Sequence, residues 1–111
     1  MPSTENAIVV ELNDKPEYQR VIEGPPVTGG MKVGRVHLEA GKACGEHTTK
    51  ENEEVLVFLS GRGELLIGEE REILEVGSAK VAFIRPQTIH NVKNTGSEPL
   101  IYIFCVSPVS N

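Results

Sequence analysis

Long apolar runs are scarce in this sequence. The longest apolar-rich stretch, Leu100 to Val106, is far shorter than the roughly 20 residues a helix needs to cross a bilayer, so no membrane partner is expected. Cysteine is equally sparse: Cys44 and Cys105 form no C-x-x-C pair, which leaves no disulfide framework and points to two reduced thiols. Cations are outnumbered, with Lys+Arg 11 against Asp+Glu 16 and a net charge of -5. That balance argues against a general attraction to nucleic acid or to anionic membranes. There is no phosphate-cradling glycine loop, no serine nucleophile motif, no repeat of fixed period and no low-complexity tract. The segment Met1–Asn6 lacks the charged-then-apolar pattern of a signal peptide, and a cytoplasmic protein is the expectation. A chain of 111 residues can bury one core, so one domain over 1–111 is expected.

Helical periodicity is also missing, apart from a single turn near Asn13–Arg20. Short apolar, β-branched segments recur instead, at Ile8–Leu12, Met31–Leu38, Val55–Leu59, Gly63–Ile67, Arg71–Leu74, Lys80–Ile84, His90–Lys93 and Leu100–Val106. Turn signals separate them, among them Gly24-Pro-Pro, Gly61-Arg-Gly63, Gly68, Gly77-Ser and Asn94-Thr-Gly-Ser. Eight short strands joined by such turns predict an all-β sandwich or closed barrel. Leu100–Val106 has no polar face, so this strand is expected to be covered on both sides, by the core and by a further layer or a second subunit, and a homodimer follows.

Strand parity places Glu54 on the same face as Leu56 and Phe58, with Val55, Val57 and Leu59 opposite. A carboxylate among large apolar groups needs a cation, a metal or hydrogen-bond donors to offset its desolvation. Glu53 faces the other way, toward solvent. His47 lies in the turn-rich approach to this strand and His90 opens a later one. Two imidazoles and a carboxylate form a donor set able to hold a divalent metal with positions left open, although spacing alone does not bring them together.

The stretch Gly41, His47, Thr49, Glu54, Gly61 resembles the first motif of the cupin superfamily, G-x5-H-x-H-x3-4-E-x6-G, with all spacings kept. The second motif, G-x5-P-x-G-x2-H-x3-N, is matched by His90 and Asn94, with Arg85 and Gln87 at its Pro and Gly positions and Gly77 two residues before its opening glycine. The resemblance runs over 41–61 and 77–94. It implies a double-stranded β-helix, or jelly-roll, barrel, and it implies His47, Glu54 and His90 as ligands of one divalent transition metal: iron, manganese, nickel or zinc. Thr49 stands where the family has a second histidine, and a hydroxyl is a poor ligand for such an ion.

Other residues border the expected cavity. Thr49 and Phe58 share the neighbourhood of Glu54. Arg35 and His37 alternate with Val36 and Leu38, either as a solvated outer face, the simpler reading, or as the cavity mouth binding an anionic group. Cys44, three residues before His47, is a small structural thiol or a cavity thiol. Tyr102 and Phe104 share parity, in the core or as a pocket wall.

Two functions suit this set. One is a metal-dependent enzyme on a small molecule, dioxygenase- or isomerase-like. The other is a non-catalytic small-molecule-binding or sensing barrel, metal-free if His47 and Glu54 hydrogen-bond across the pocket and a backbone carbonyl satisfies His90. A metal-free sugar-nucleotide epimerase is a weaker third, since it needs a positioned acid/base pair and only Tyr18 and Tyr102 offer tyrosines.

Overall fold

Alternating burial along the chain resolves into nine strands, and among the described residues there is no helix. The computed structural model describes Thr4 and residues 6–109. The strands are β1 (Gln19–Ile22), β2 (Lys32–Leu38), β3 (His47–Thr48), β4 (Asn52–Ser60), β5 (Arg62–Ile67), β6 (Glu72–Gly77), β7 (Val81–Ile84), β8 (Ile89–Asn94) and β9 (Leu100–Pro108). They form a five-stranded sheet in the order β1-β2-β9-β4-β7 and a four-stranded sheet in the order β3-β8-β5-β6. All pairings are antiparallel.

The inward faces of the two sheets meet in one apolar core. Leu38, Leu56, Phe58, Ile84, Leu100 and Tyr102 come from the five-stranded sheet, and Leu65, Val76 and Val92 from the other. Phe58 and Tyr102 are direct cross-strand partners with ring centroids 5.1 Å apart, the kind of aromatic pair that fixes register on a buried face. The β5–β6 hairpin turns through Gly68 and Arg71, both at positive φ, so Glu69-Glu-Arg-Glu72 projects as an exposed acidic turn. Gly63 has to be glycine because a Cβ there would collide with the carbonyl oxygen of Lys93 on the neighbouring strand.

Seven of the eight expected strands form, with bounds shifted by up to a few residues. Ile8–Leu12 does not: only Ile8 makes a single bridge, and Ile8, Val9 and Leu12 stay exposed. Among the described residues no strand completes a ladder with it, and side-chain hydrogen bonds tie down its end. Gln19 accepts from the Asn13 amide at 2.9 Å and donates to the Glu11 carbonyl at 3.0 Å. The helical turn expected near Asn13–Arg20 is absent as well, and its end becomes β1, paired to β2 through a bulge between Arg20 and Ile22.

β9 lies between β2 and β4 and has apolar residues on both faces. Leu100 and Tyr102 are buried inward, whereas Ile101, Ile103 and Cys105 are half-buried on the reverse face. The register continues that reverse face through Val55 and Val57 on β4 to Val81 and Phe83 on β7, which are 68% and 55% exposed.

Candidate metal centre

His47 and His90 are direct partners in the β3–β8 ladder. Residues opposite each other in an antiparallel pair project to the same side, which is why a two-residue strand suffices to bring the rings within 4.1 Å, edge to face. Glu54 reaches them from β4 in the facing sheet. Its inward parity, which it shares with buried Leu56 and Phe58, follows the alternation read from the sequence. One ligand atom from each of the three residues lies within 4.8 Å of the others.

Backbone carbonyls set the orientation of both imidazoles. His47 Nδ1 lies 2.8 Å from the Gly45 carbonyl oxygen and His90 Nδ1 lies 3.1 Å from that of Thr88. Each Nδ1 therefore carries a proton and donates it, leaving Nε2 as the inward atom, the arrangement by which outer partners fix a ligating histidine. His90 Nε2 sits 3.1 Å from Glu54 Oε1, with the side chains 2% and 11% exposed. An ion with ligand bonds of about 2.1 Å holds neighbouring donors about 3.0 Å apart and opposite ones about 4.2 Å apart, so the three donors fit a metal after small side-chain rotations. The donor set, two neutral imidazoles and one carboxylate, suits iron, manganese, nickel or zinc alike.

Charge is balanced locally. Burial alone would lower the His90 pKa, but the hydrogen bond it donates to Glu54, the one it donates to the Thr88 carbonyl and the Glu54 charge outweigh it, and His90 titrates above its ordinary 6.5. Burial, with Cys44 and Glu54 adding to it, pushes the Tyr102 phenol well above its ordinary range, so it keeps its proton.

The centre opens into a cavity of about 500 Å³, within the range of small-molecule sites. Thr49, Cys44 and Tyr102 line it, with Cys44 exposed and Tyr102 buried. The Thr49 hydroxyl is already engaged: it donates to the Arg85 carbonyl at 2.6 Å and accepts from the Thr88 amide at 3.1 Å. At the family's second-histidine position this chain thus has a strut that fixes the loop leading into β8.

Phe58 does not reach the cavity; it is 1% exposed in the core beneath it. Arg35 lies elsewhere too. It pairs with Ile103 on the reverse parity of β2, is 3% exposed, and its Nη1 donates to the carbonyls of Lys15 at 3.1 Å and Glu17 at 3.4 Å. Neither a solvated face nor an anion-binding mouth describes it, because the N-terminal segment covers the guanidinium. His37 borders the cavity, yet its register opposite Ile101 puts its side chain on the same parity as Arg35. Its buried Nδ1 makes no hydrogen bond among the described residues and lies 3.7 Å from Glu39 Oε1.

Among the lining residues that the sequence did not place in the cavity are Asn52, Thr48 and Tyr18, the last named there only as a tyrosine that an acid/base pair could use. Tyr18 stacks on Phe104 with centroids 6.3 Å apart and planes at 11°. Gly34 makes this possible, since a Cβ there would strike the Phe104 ring and come within 2.6 Å of the Tyr18 hydroxyl oxygen. No local pattern marks a tyrosine ahead of a short edge strand as a pocket residue.

The second motif's irregularities have a backbone explanation. Ala79 and Gln87 occupy its two glycine positions, and both keep the left-handed backbone, with φ of 68° and 55°. The conformation glycine would adopt freely is retained at some cost in strain.

A family model described as "Cupin domain" matches residues 34–106, a span containing His47, Glu54 and His90. Among solved structures, the fold is similar to an RmlC-like cupin family protein with a double-stranded β-helix fold from Methanocaldococcus jannaschii, with a TM-score of 0.77, 15% identity, and coverage of 92% of this chain and 91% of that one. It is similar to the cupin domain of Schizosaccharomyces pombe Cnp3, with a TM-score of 0.74, 16% identity and 83% of this chain covered; the match spans 64% of that chain, less than two thirds of its length. It is also similar to a protein from Thermotoga maritima described as a predicted oxalate decarboxylase, with a TM-score of 0.69, 17% identity, and coverage of 92% and 100%. At these identities the likeness is one of fold. No curated protein matches the sequence. Two antiparallel sheets closed over a core, a first motif with its spacing intact, and a family model covering most of the residues lead to one conclusion: the chain belongs to the cupin family.

Proposed function

We propose that this cupin holds one divalent transition metal on His47, Glu54 and His90 and uses it on a small molecule bound in the adjoining cavity. The observation that carries this reading is the pair of Nδ1 contacts to the Gly45 and Thr88 carbonyls, which leave both Nε2 atoms free as ligands, with His90 Nε2 3.1 Å from the Glu54 carboxylate of the opposite sheet and a ligand atom of each of the three residues within 4.8 Å of the others. When bound, the metal supplies a Lewis acid that polarises an oxygen of the ligand. Glu54 offsets the ion's charge, and Tyr102, kept protonated, donates a hydrogen bond to a ligand oxygen. Val36, Leu38, Leu56 and Val92 exclude water around the reacting group. Such an arrangement suits metal-assisted isomerisation or oxygen-dependent cleavage.

A second reading is favoured by the 3.1 Å contact between His90 and Glu54, which satisfies both groups without an ion and would serve a metal-free binding barrel. Elemental analysis of tag-free protein separates the two. The metal-dependent reading expects one equivalent of iron, nickel, manganese or zinc after reconstitution and its loss in His90→Ala; persistent absence of metal supports the binding barrel. We place the homodimer expected from the sequence on the reverse face carrying Val57, Val81 and Phe83. A single species of monomer mass in light scattering at micromolar concentration would contradict that placement.

A further inference from the structure

The cavity has a strong asymmetry in its chemistry. Among the described residues, Glu54 is its only carboxylate and no lysine or arginine lines it. Arg35, the cation that the sequence analysis offered as an anion binder, is sequestered by the Lys15 and Glu17 carbonyls on the other parity of β2. Besides the three donors, its polar lining consists of Tyr102, Asn52, Thr48, Thr49 and Cys44, with His37 at the border. The rest of the lining is aliphatic apart from the near-parallel rings of Tyr18 and Phe104, the latter opposite Leu56, the next inward position of β4 after Glu54. Tyr18 is half exposed, so the aromatic wall stands where the cavity meets solvent.

Resting on the metal-centre reading above, we propose that the ligand is a neutral, largely apolar, ring-bearing small molecule whose single oxygen-bearing end faces His47, Glu54 and His90, with Tyr18 and Phe104 as the wall that selects the flat body. A volume of about 500 Å³ is room for on the order of fifteen waters at about 30 Å³ each, and a fused two-ring compound displaces a large share of them. A carboxylate on such a ligand would be desolvated against mostly aliphatic and aromatic side chains, with no lysine or arginine among the described lining residues to offset it, an arrangement that binding sites avoid. An aromatic wall rewards a planar, polarisable ring beyond its buried area.

Two probes of matched shape test this, 2-naphthol and 6-hydroxy-2-naphthoate, the second adding one carboxylate at the end away from the hydroxyl. Calorimetric or fluorescence titration at pH 7 is run on metal-free and on zinc-loaded protein. The expected result is that 2-naphthol binds both forms at least about tenfold more tightly than the naphthoate, the penalty of an unpaired buried charge being no smaller than that. Tyr18→Ala is expected to weaken 2-naphthol by about fivefold to tenfold, Tyr18→Phe to keep it, and both to leave zinc stoichiometry unchanged. Equal or tighter binding of the naphthoate, or no binding of 2-naphthol to either form, overturns the proposal. Selective 2-naphthol binding in a protein that takes up no metal overturns the metal-centre reading alone and leaves the ligand class standing.

Discussion

Replacing Glu54 by glutamine keeps the shape of the side chain and removes its charge, which isolates the contribution of the buried pair. In the metal-free protein, His90 Nε2 and Glu54 Oε1 are 3.1 Å apart and nearly out of solvent. A hydrogen bond to a charged group contributes about 1.5–3 kcal/mol and a neutral one about 0.5–1.5 kcal/mol, so the substitution costs about 1–1.5 kcal/mol. For a domain of this size that lowers Tm by about 4–6 °C. The pH dependence follows from His90, whose folded pKa lies above its ordinary 6.5. A raised imidazole pKa contributes stability that is fully present below 6.5 and is lost as pH rises through the folded value. The deficit of Glu54→Gln is therefore expected at pH 6 and should shrink at pH 9, measured by calorimetry in the presence of a chelator. The same substitution removes the centre's anionic donor. Structural zinc sites gain about 10–16 kcal/mol over four ligands, or about 3 kcal/mol each, so zinc affinity should fall roughly a hundredfold. A deficit of equal size at both pH values, or undiminished zinc affinity, would refute the pairing and the ligand role respectively.

Other substitutions probe the supports. Thr49→Val removes the hydrogen bonds to Arg85 and Thr88 and should cost about 2 kcal/mol in chemical denaturation while leaving metal stoichiometry intact; loss of metal would instead make the hydroxyl a ligand. Ala79→Gly relieves a left-handed alanine and should raise Tm by a few degrees, worth about 0.5–1 kcal/mol; no gain would mean the turn is unstrained. Arg35→Met keeps the stem of the side chain but frees the Lys15 and Glu17 carbonyls, and faster hydrogen exchange is expected over residues 11–18, the segment carrying Tyr18. Unchanged exchange there would mean that other contacts hold the segment.

The parts of the fold legible in the sequence are those governed by local alternation. The period of two in β4 gave the inward parity of Glu54, Leu56 and Phe58, and the turn at Gly68 marked the β5–β6 hairpin. The unreadable parts depend on partners distant in the chain. β3 is two residues long, too short to leave a pattern, and it exists because His47 and Thr48 pair with His90 and Ile89. Ile8–Leu12 has strand-like composition, but among the described residues no strand forms a ladder with it. Arg35 and His37 alternate as any strand does, and only the N-terminal segment wrapped over Arg35 settles which face they occupy. Of the candidate site, the three donors came from the motif resemblance, and their convergence from the β3–β8 register. Tyr18 came from neither, because its place in the cavity depends on Gly34 leaving room across the sheet.

The most direct test of the metal centre is a long-range ¹H–¹⁵N correlation spectrum of the imidazoles, recorded before and after one equivalent of zinc. The chain has three histidines, so every ring can be followed, with His37 as an internal control. The Nε2 resonances of His47 and His90 are expected to shift together and saturate at one equivalent, with both Nδ1 atoms remaining protonated and His37 unmoved. Zinc that perturbs neither His47 nor His90, or that binds through their Nδ1 atoms, would contradict it.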